Sequence, residues 1–419
     1  MNIIDTLVIG AGHAGLAVSH LLTEAGREHV VLDRGQVAER WRSERWDSLH
    51  LLTPRWMTRL PGWRYRGADQ DGYMPASELV DHLEAYAAAG GTPLVLGDEV
   101  HRVRLHRGRY HVETSSQSWQ ARHVVIATGA TGRPHVPAGM AGLDPDIRVM
   151  STADYRNPGQ LPSGGVLVVG ASASGTQVAD ELARAGRHVV LAVGGHTRMP
   201  RRYRGMDIFW WLEQTGRMAR TNGRGAVGRR EPSLQLVGRP RSDPRGADLD
   251  LVTLQAAGVD LVGRLDSVEG QEARFRADLD ETTSRADRRM WSLLDDVDHY
   301  IDAVGLAAEV EPSTRPERVS VPGHESRLSL RAAGIGTVVL ATGFREHHPW
   351  LRIPVVGNDG AIQQHRGVTA APGLYVVGQK FQHRRDSTFI DGARFGARDV
   401  VNHLCHGQQP VAEVLGEAS

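Results

Sequence analysis

A glycine-rich segment near the start of the chain has the residue types that hold a phosphate group. The segment GAGHAG follows the apolar run IIDTLVI and precedes a stretch with helical patterning. In such a turn Gly10 permits the tight bend, Gly12 lets the backbone approach a pyrophosphate, and Gly15 lets the helix pack closely on the strand. Free N–H groups at the start of the helix then favour an anion.

Asp33 stands at the end of the next apolar run, HVVLD. A carboxylate there can accept the two hydroxyl groups of an adenosine ribose. Strand, glycine turn, helix, strand and acid in this order predict a bound dinucleotide. The alternative is a glycine-rich turn that only packs a helix against a strand.

A second unit of the same kind runs from VLVVG through GASASG and a helix-like stretch to HVVLAV. Gly170 and Gly175 keep their places, and Ser172 replaces the middle glycine, where its hydroxyl adds a donor. No acid follows the second strand, and Arg198 and Arg201 follow instead. Because an arginine pairs with a 2′-phosphate that an acid would repel, these residues predict a preference for NADPH over NADH. The alternative is a solvated basic loop.

Two further segments, HVVIATG and TVVLATG, echo each other, and each follows one of the glycine units. The repeated units predict an α/β fold with two doubly wound, Rossmann-like dinucleotide-binding domains, the second inserted into the first. The expected boundaries are 1–155, 156–330 with an insertion at about 198–300, and 331–419. Within the insertion, 222–248 is polar and rich in Gly and Pro, which is typical of a loop or a partly mobile lid.

Composition and motif spacing exclude several classes of function. The chain has 49 basic residues (Lys and Arg) and 49 acidic residues (Asp and Glu), so its formal net charge is zero. A nucleic-acid partner is therefore not expected. Cys405 is the single cysteine, which rules out an intrachain disulfide and a cysteine-pair redox relay. GASAS lacks the second glycine of a nucleophile elbow, and neither H-E-x-x-H nor C-x-x-C occurs. A serine hydrolase and a catalytic metal are therefore not expected.

The N-terminal segment does not look like a signal peptide, because it has no basic start and carries Asp5 inside its apolar stretch. No apolar run approaches the roughly 18 residues of a membrane-spanning helix. We therefore expect a cytoplasmic protein without stable membrane insertion. The sequence leaves the oligomeric state open.

Five segments together resemble the flavin-containing monooxygenases, the single-chain FAD- and NADPH-dependent family of flavoprotein monooxygenases. They span nearly the whole chain, and their order is more specific than any single motif. They are GAGHAG with Asp33; ERWR followed by RWDSLHLLTP; the two ATG strands; DYRNP leading into VLVVGASASG; and GLYVVG followed by DSTFIDGARFGARDVVNHL.

The resemblance implies that the first glycine turn holds FAD and the second holds NADPH. Trp41 and Arg42 would then lie along the flavin, Val100 would contact the adenine, and Gly378 would approach the pyrimidine end of the ring. The full set of expected cofactor-binding residues is Gly10, Gly12, His13, Ala14, Gly15, Asp33, Arg34, Trp41, Arg42, Leu51, Val100, Ala127, Thr128, Gly129, Gly170, Ser172, Ala173, Ser174, Gly175, Arg198, Arg201, Thr342, Gly343, Gly378 and Phe389.

The resemblance also implies a reaction. In this family NADPH reduces the flavin, O₂ adds to give a C4a-(hydro)peroxide, and one oxygen atom passes to a small molecule. Family members often carry F-x-G-x-x-x-H before the second nucleotide site, and that fingerprint is absent here. Oxygenation at nitrogen or sulfur is therefore favoured over Baeyer–Villiger insertion. Thr53 is the nearest match to an asparagine that many members place near the oxygen-reacting face, and it is the candidate catalytic residue.

Large aromatic side chains cluster in two places and could keep water from a reactive flavin, although such rings are equally good core residues. If 206–218 forms a roof over the ring, it would also select the substrate. The two clusters are Trp41, Trp46, Trp56 and Trp63, and Phe209, Trp210 and Trp211. Two other functions stay open: an NAD(P)H-dependent flavin oxidoreductase passing electrons to a quinone or protein acceptor, and a non-enzymatic dinucleotide-binding protein.

Overall fold

The structure is a computed structural model that describes residues 2–221, 248–321 and 326–407, with the backbone of 234–235 and 237–238. The stretch expected to form a lid, 222–248, lies outside the described residues except for Asp248 and those two backbone segments.

The described chain alternates short strands with helices. The helices are α1 (His13–Glu24), α2 (Glu39–Ser43), α3 (Ala76–Ala89), α4 (Ala173–Arg184), α5 (Ile208–Gln214), α6 (Leu251–Ala256), α7 (Leu279–Val304) and α8 (Ile390–His406). The strands are β1 (Asn2–Ile9), β2 (His29–Leu32), β3 (His50–Pro54), β4 (Tyr73–Pro75), β5 (Leu94–Val95), β6 (Val100–His106), β7 (Arg109–Thr114), β8 (Ser118–Ile126), β9 (Arg133–Pro134), β10 (Gly142–Leu143), β11 (Arg148–Ser151), β12 (Gly165–Val169), β13 (Val189–Ala192), β14 (Thr197–Arg198), β15 (Arg202–Tyr203), β16 (Met206–Asp207), β17 (Leu234–Gln235), β18 (Val237–Gly238), β19 (Asp248–Leu249), β20 (Asp260–Val262), β21 (Leu265–Gly270), β22 (Glu272–Phe275), β23 (Arg327–Ser329), β24 (Ile335–Leu340), β25 (Phe344–Arg345) and β26 (Leu374–Val376).

The first sheet is built around the first glycine turn. Its strand order is β5-β2-β1-β8-β7-β6, and β26 also pairs with β8. β1 runs parallel to β2 and β8, so Ile9 lies beside Leu32 on one side and Ile126 on the other. Alternate residues enter two cores, because Val8 packs with α1, α3 and α8 whereas Leu7 packs with the β6–β7 side. Burial on both faces explains why these strands are continuously apolar.

The second sheet has the order β11-β24-β12-β13-β20, and every pair in it is parallel. β12 is buried at all its positions. Val168 faces the core beneath α4, while Leu167 faces the opposite core, against β21 and β22. The two sheets, each with its own glycine turn, confirm the predicted fold class.

The sheet boundaries differ from those predicted. β11 and β24 both pair in the second sheet, whereas the predicted division at 155 and 330 placed them in the first domain. Parallel strands join through crossover connections, so the partner of an isolated apolar run is decided by packing and not by its own residues. TVVLATG therefore serves the second glycine turn in the way HVVIATG serves the first.

Part of the insertion forms a separate small core. Trp211 of α5 is fully buried, and its indole N–H donates to the carbonyl oxygen of Tyr203 at 2.7 Å. α5 packs there against α7, and Phe209 meets Phe389 edge to face at 5.8 Å between ring centroids. Since Phe389 immediately precedes α8, this contact docks the insertion beside the first sheet's C-terminal helix.

Candidate functional site

A cavity of about 390 Å³, here called cavity A, opens at the carboxyl ends of β1, β2 and β8. Because the carboxyl ends of parallel strands meet at one edge of a sheet, residues from distant parts of the chain converge there. The sequence-predicted residues in its wall are Gly10, Gly12, His13, Ala14, Asp33, Arg34, Trp41, Val100, Ala127, Thr128, Gly129 and Gly378.

The three glycines of the first turn have different structural roles. Gly10 has a φ of +114°, and a Cβ on it would lie 2.5 Å from the carbonyl oxygen of Ala127. A Cβ on Gly15 would overlap the carbonyl oxygen of Gly10, so α1 could not approach β1 as it does. A Cβ on Gly12 would meet nothing within 4 Å. Gly10 and Gly15 therefore hold the turn, and Gly12 leaves open space for a ligand.

Asp33 fastens this turn to the end of β2. One carboxylate oxygen accepts a hydrogen bond from the N–H of Ala11 at 2.7 Å, and the other accepts from the N–H of Gly35 at 3.0 Å. The same carboxylate lines cavity A. It is therefore fixed in place before a ribose hydroxyl can donate to it.

His13 begins α1 in the wall of cavity A. Its Nε2 is buried and has no hydrogen-bond partner among the described residues. Burial lowers the pKa of His13 to about 4, so the ring is neutral near pH 7. A neutral ring with one unused nitrogen can donate to or accept from a bound ligand.

We expect His13 to make the apoprotein less stable as the pH falls below 6.5. Its pKa is about 4 when folded and about 6.5 when unfolded, so between these values only the unfolded chain binds the proton. Thermal denaturation of apoprotein from pH 7.5 to 4.5, for wild type and His13→Gln, measures the effect. Other histidines whose pKa values burial lowers, among them His29, His82, His123 and His196, act in both proteins. The Tm of the variant should fall less over this pH range than the Tm of wild type. An identical fall in both proteins would contradict the assignment of this pH dependence to His13.

A larger cavity of about 760 Å³, here called cavity B, opens at the second glycine turn. That turn repeats the contacts of the first: a Cβ on Gly170 would lie 2.5 Å from the carbonyl oxygen of Ala341, and one on Gly175 would overlap the carbonyl oxygen of Gly170. The sequence-predicted residues in the wall are Trp41, Leu51, Gly170, Ser172, Ala173, Ser174, Thr342, Gly343 and Phe389.

The two cavities share a wall made by Trp41, Arg45, Thr131 and Thr388. The guanidinium carbon of Arg45 lies 5.0 Å from the Trp41 ring centroid, and the group donates to the carbonyl oxygen of Glu44 at 2.7 Å. Burial lowers the pKa of Arg45. A ligand in cavity A and a ligand in cavity B can therefore approach each other at this wall. The guanidinium of Arg45, which is partly withdrawn from water, lies beside them.

The predictions for Arg198 and Arg201 are wrong. Arg198 is 2% exposed and pairs with Asp250 at 2.6 Å and Asp287 at 2.7 Å. Arg201 is fully buried against the carboxylate of Asp207. Neither lines cavity B, and both charges are already balanced inside the protein. Their carboxylate partners come from other elements, so the local sequence could not distinguish buried ion pairs from a basic surface loop.

The predicted positions of Arg42 and Thr53 also need correction. Arg42 points outward and pairs with Glu84 of α3, and Thr53 is buried within β3 at 9% exposure. Neither residue lines cavity A or cavity B. Thr53 therefore does not face the space in which a substrate would react. Gly15 and Gly175 act through packing alone, as described above.

The aromatic residues divide between cavity wall and core. Trp41 and Trp46 line cavity B, and Leu212 and Met218 of the expected roof segment join them. Trp56, Trp63, Trp210 and Trp211 line neither cavity, and Phe209 reaches the wall only through its contact with Phe389.

Sequence reasoning missed Arg45, Thr131, Arg264, Lys380 and Thr388, all of which line cavity B. Arg264 follows β20, and its Nη2 lies 3.4 Å from the position a Cβ would take on Gly195. The general signal was available for two of these residues, because Arg45 begins the RWDSLHLLTP segment and Thr388 lies in the DSTFIDGARFGARDVVNHL segment. The others lie in irregular segments whose course depends on tertiary packing.

Cys405 lies in the last turn of α8 and lines neither cavity. It therefore cannot relay electrons to a ligand in them. Within residues 2–221, 248–321 and 326–407, no three His, Cys, Asp or Glu side chains are grouped to hold a metal ion. In the same ranges, no helix has both the length and the apolar character needed to cross a membrane.

Comparison with known proteins confirms the resemblance drawn from the motifs. A family model described as pyridine nucleotide-disulphide oxidoreductase matches residues 7–205. An uncharacterized CzcO-like oxidoreductase of Geobacillus kaustophilus (strain HTA426) is 31% identical over 409 residues, which cover 96% of this chain and 99% of the relative. Indole-3-pyruvate monooxygenase YUCCA1 of Oryza sativa subsp. japonica is 31% identical over 213 residues, 48% of this chain and 51% of that protein.

The similarity extends to three dimensions. The structure of a flavin-containing monooxygenase from Stenotrophomonas maltophilia superposes with a TM-score of 0.65 at 19% identity, covering 96% of this chain and 98% of that chain. At this identity the likeness shows the shared fold.

Proposed function

Because this chain belongs to the CzcO-like family of oxidoreductases, we propose that it is an FAD- and NADPH-dependent monooxygenase acting on a small molecule. In the balanced reaction one atom of O₂ enters the substrate and the other leaves as water. NADPH supplies both electrons, and the hydride of NADPH together with a proton supplies the two hydrogens of that water. The observation that carries the proposal is the pair of glycine-turn cavities with a shared wall.

FAD fits cavity A on three grounds. The space beside Gly12 is open, the Asp33 carboxylate is fixed at the cavity edge, and the unpartnered Nε2 of His13 lies at the start of α1. Bound FAD would supply the redox chemistry, accepting two electrons from NADPH and delivering them to O₂. The residues of the chain bind the cofactor, orient it and shield it.

NADPH fits cavity B for related reasons. Ser172 caps α4 with extended backbone (φ −84°), so the free N–H groups of the first helical turn are available to a pyrophosphate. In this proposal the shared wall at Trp41 and Thr388 is where the nicotinamide meets the flavin ring. Leu52, Leu212 and Met218 add apolar surface that excludes water from this region. We propose nitrogen or sulfur oxygenation, following the absence of the F-x-G-x-x-x-H fingerprint.

An isotope experiment tests the function. Purified holoenzyme is given NADPH, ¹⁸O₂ and two probe sulfides, methyl phenyl sulfide and (phenylthio)acetate. Incorporation of ¹⁸O into either sulfoxide is expected. Consumption of NADPH with all O₂ recovered as hydrogen peroxide, together with rapid reduction of an added quinone, would instead identify an electron-transferring reductase. Protein that stays free of flavin in excess FAD would refute both.

Arg264 takes the place of Arg198 as the residue that we propose to bind the 2′-phosphate of NADPH. Its Nε lies 3.9 Å from the Cβ position on Gly194. Gly194 follows Val193, which stands directly after β13 where the first unit has Asp33 and where other dinucleotide sites place an acid. The two glycines Gly194 and Gly195 leave room for the guanidinium. Arg264 is exposed at the cavity wall, and its guanidinium forms no ion pair with a described carboxylate.

We expect Arg264→Met to weaken NADP⁺ binding about 10-fold or more while leaving NAD⁺ binding unchanged. The estimate follows from one charge-assisted hydrogen bond, about 1.5–3 kcal/mol. Calorimetric titration of 2′,5′-ADP against 5′-AMP isolates the same phosphate without the nicotinamide. Arg276→Met is the matched control, because Arg276 is exposed nearby and pairs with Asp266 at 2.9 Å. Equal weakening of NADP⁺ and NAD⁺ would reject the assignment.

A further inference from the structure

The segment between β26 and α8 presents two unlike side chains to cavity B. Lys380 and Phe381 both line it, and they follow Gly378, which lines cavity A. Lys380 is also the single lysine of the chain, whose other basic positions among the 49 Lys and Arg are all arginine. The chain therefore passes from the wall of cavity A at Gly378 to the wall of cavity B at Lys380 within two residues.

Side-chain hydrogen bonds hold the chain on either side of Lys380. Gln379 donates from Nε2 to the carboxylate of Glu346 at 2.9 Å, and the carbonyl oxygen of Gln382 accepts from Gln364 at 3.0 Å. Gln379 and Gln382 are only 5% and 4% exposed. Lys380 itself is exposed, and its ammonium has no ion pair or hydrogen bond within the described part of the chain. A firmly held backbone thus presents an uncommitted positive charge.

Phe381 has a φ of +52°, in the left-handed region that favours glycine. For a residue with a bulky side chain this conformation is unfavourable, and it persists only where the surroundings impose it. Here it turns the chain so that both Lys380 and Phe381 face the cavity. Backbone strain of this kind is concentrated at ligand-binding positions.

The charges of cavity B have one sign. Among the described residues of its wall there is no Asp or Glu, and the charged side chains are Arg45, Arg264, Lys380 and Arg385. In a partly desolvated space such a wall attracts an anion and repels a protonated amine. Arg264 is assigned above to the dinucleotide, at the glycine pair after β13. Lys380 lies on a different segment of the cavity wall, between β26 and α8.

Apolar side chains complete the same cavity. Leu212, Met218 and Phe389 join Phe381 in its wall. Leu212 and Phe389 belong to elements that the Phe209–Phe389 contact already holds together. The cavity therefore offers an apolar surface together with a positive charge held on a fixed backbone.

We infer that Lys380 and Phe381 anchor the substrate, the ammonium by binding a carboxylate and the ring by packing against an apolar body. The substrate class is then a small apolar carboxylic acid. The inference rests on the proposed function and narrows it, because a protonated amine is disfavoured and a sulfur or uncharged centre is preferred.

Two matched probes test the charge. (Phenylthio)acetate and (phenylthio)acetamide share the ring and the sulfur and differ in the carboxylate. Their dissociation constants are measured by titration into holoenzyme saturated with NADP⁺. We expect wild type to bind the acid at least 10-fold more tightly than the amide. Lys380→Met should remove this preference, whereas Lys380→Arg should retain most of it. Arg352→Met, which removes an exposed charge that lines neither cavity, should retain all of it.

Each outcome of the titrations decides the inference. Wild type that binds acid and amide equally overturns it, as does a Lys380→Met variant that keeps the preference. If Lys380→Met weakens the binding of NADP⁺ as much as the binding of the acid, Lys380 binds the dinucleotide and the inference is wrong. Holoenzyme that oxygenates methyl phenyl sulfide as readily as (phenylthio)acetate would preserve the proposed function and overturn only the anchor. Failure to oxygenate either sulfide counts against the function itself.

The single lysine allows a direct readout that does not depend on turnover. Reductive methylation with ¹³C-formaldehyde keeps the charge and labels Lys380 and the N-terminal amine only. In the NMR spectrum of labelled holoenzyme, (phenylthio)acetate should shift the dimethyl-lysine signal, and (phenylthio)acetamide should shift it much less. A signal that moves with NADP⁺ and not with the acid would overturn the inference.

Discussion

Replacing Gly12 with valine gives a folded protein that does not retain FAD. The backbone at Gly12 is extended, with φ −81° and ψ 178°, a conformation that valine adopts readily. A Cβ there meets no protein atom within 4 Å, so the substitution does not disturb packing. It does place a branched side chain in the space beside the α1 N-terminus, where the pyrophosphate would lie. We expect flavin occupancy below about one tenth of wild type, given several lost charge-assisted hydrogen bonds.

The measurement is the flavin absorbance per protein after purification in excess FAD, together with the Tm of the apoprotein. Ser172→Val is the matched control, because Ser172 holds the corresponding position before α4 and its backbone is also extended. That variant should keep FAD and lose NADP⁺ affinity. A Gly12→Val protein that is yellow, with wild-type flavin content, would show that cavity A does not hold the cofactor.

Replacing Arg201 with methionine lowers the free energy of unfolding by about 3–5 kcal/mol, the usual cost of leaving one member of a buried pair uncompensated. Asp207, 8% exposed, would lose the guanidinium that balances its carboxylate. Arg201 also donates to the carbonyl oxygen of Leu52, whose side chain lines cavity B. The variant should therefore lose activity along with stability.

Chemical denaturation of Arg201→Met, Arg201→Met/Asp207→Asn and Arg285→Met measures the effect. The double variant should recover much of the loss, because the asparagine is neutral and keeps an oxygen to accept from the N–H of Phe209 at the start of α5. Arg285 is exposed and pairs with Glu281 one helical turn away. Arg285→Met should therefore lower the free energy of unfolding by less than about 1 kcal/mol. Equal losses for Arg201→Met and Arg285→Met would mean that the buried pair does not stabilise the fold.

The first glycine turn could be predicted from the sequence because the contacts that define it are between residues close in the chain. Gly10, Gly15 and Asp33 act on neighbours one turn or one strand away, and the order of strand, helix and acid encodes that geometry. The same reasoning predicted the second turn with its serine. The repeated ATG segments were recognised in the sequence, but the contacts of Ala127 and Ala341 with the two turns and the sheet to which β24 belongs came only from the structure.

Three of the misplaced site residues, Arg42, Arg198 and Arg201, are arginines held by carboxylates. Arg198 and Arg264 are the same residue type near the same cavity, yet one is neutralised by Asp250 and Asp287 while the other faces the wall. The residues next to Arg198 and Arg264 in the sequence do not distinguish the two, because Asp250 and Asp287 belong to the start of α6 and to α7. The prediction that Thr53 is catalytic failed for a related reason. Which side of β3 faces a cavity depends on how the insertion packs over this strand.

The sequence by itself determined that this chain has two dinucleotide turns, a single cysteine and a single lysine. Short-range sterics and composition are properties of the residues alone, so they can be read without coordinates. Only the tertiary structure decided which charged side chains are neutralised in buried ion pairs, which remain available to a ligand, and that Lys380 lines cavity B. The electrostatic role of a side chain depends on its distance from partners remote in the chain and on its exposure to water, and both arise only when the two sheets and the insertion pack together.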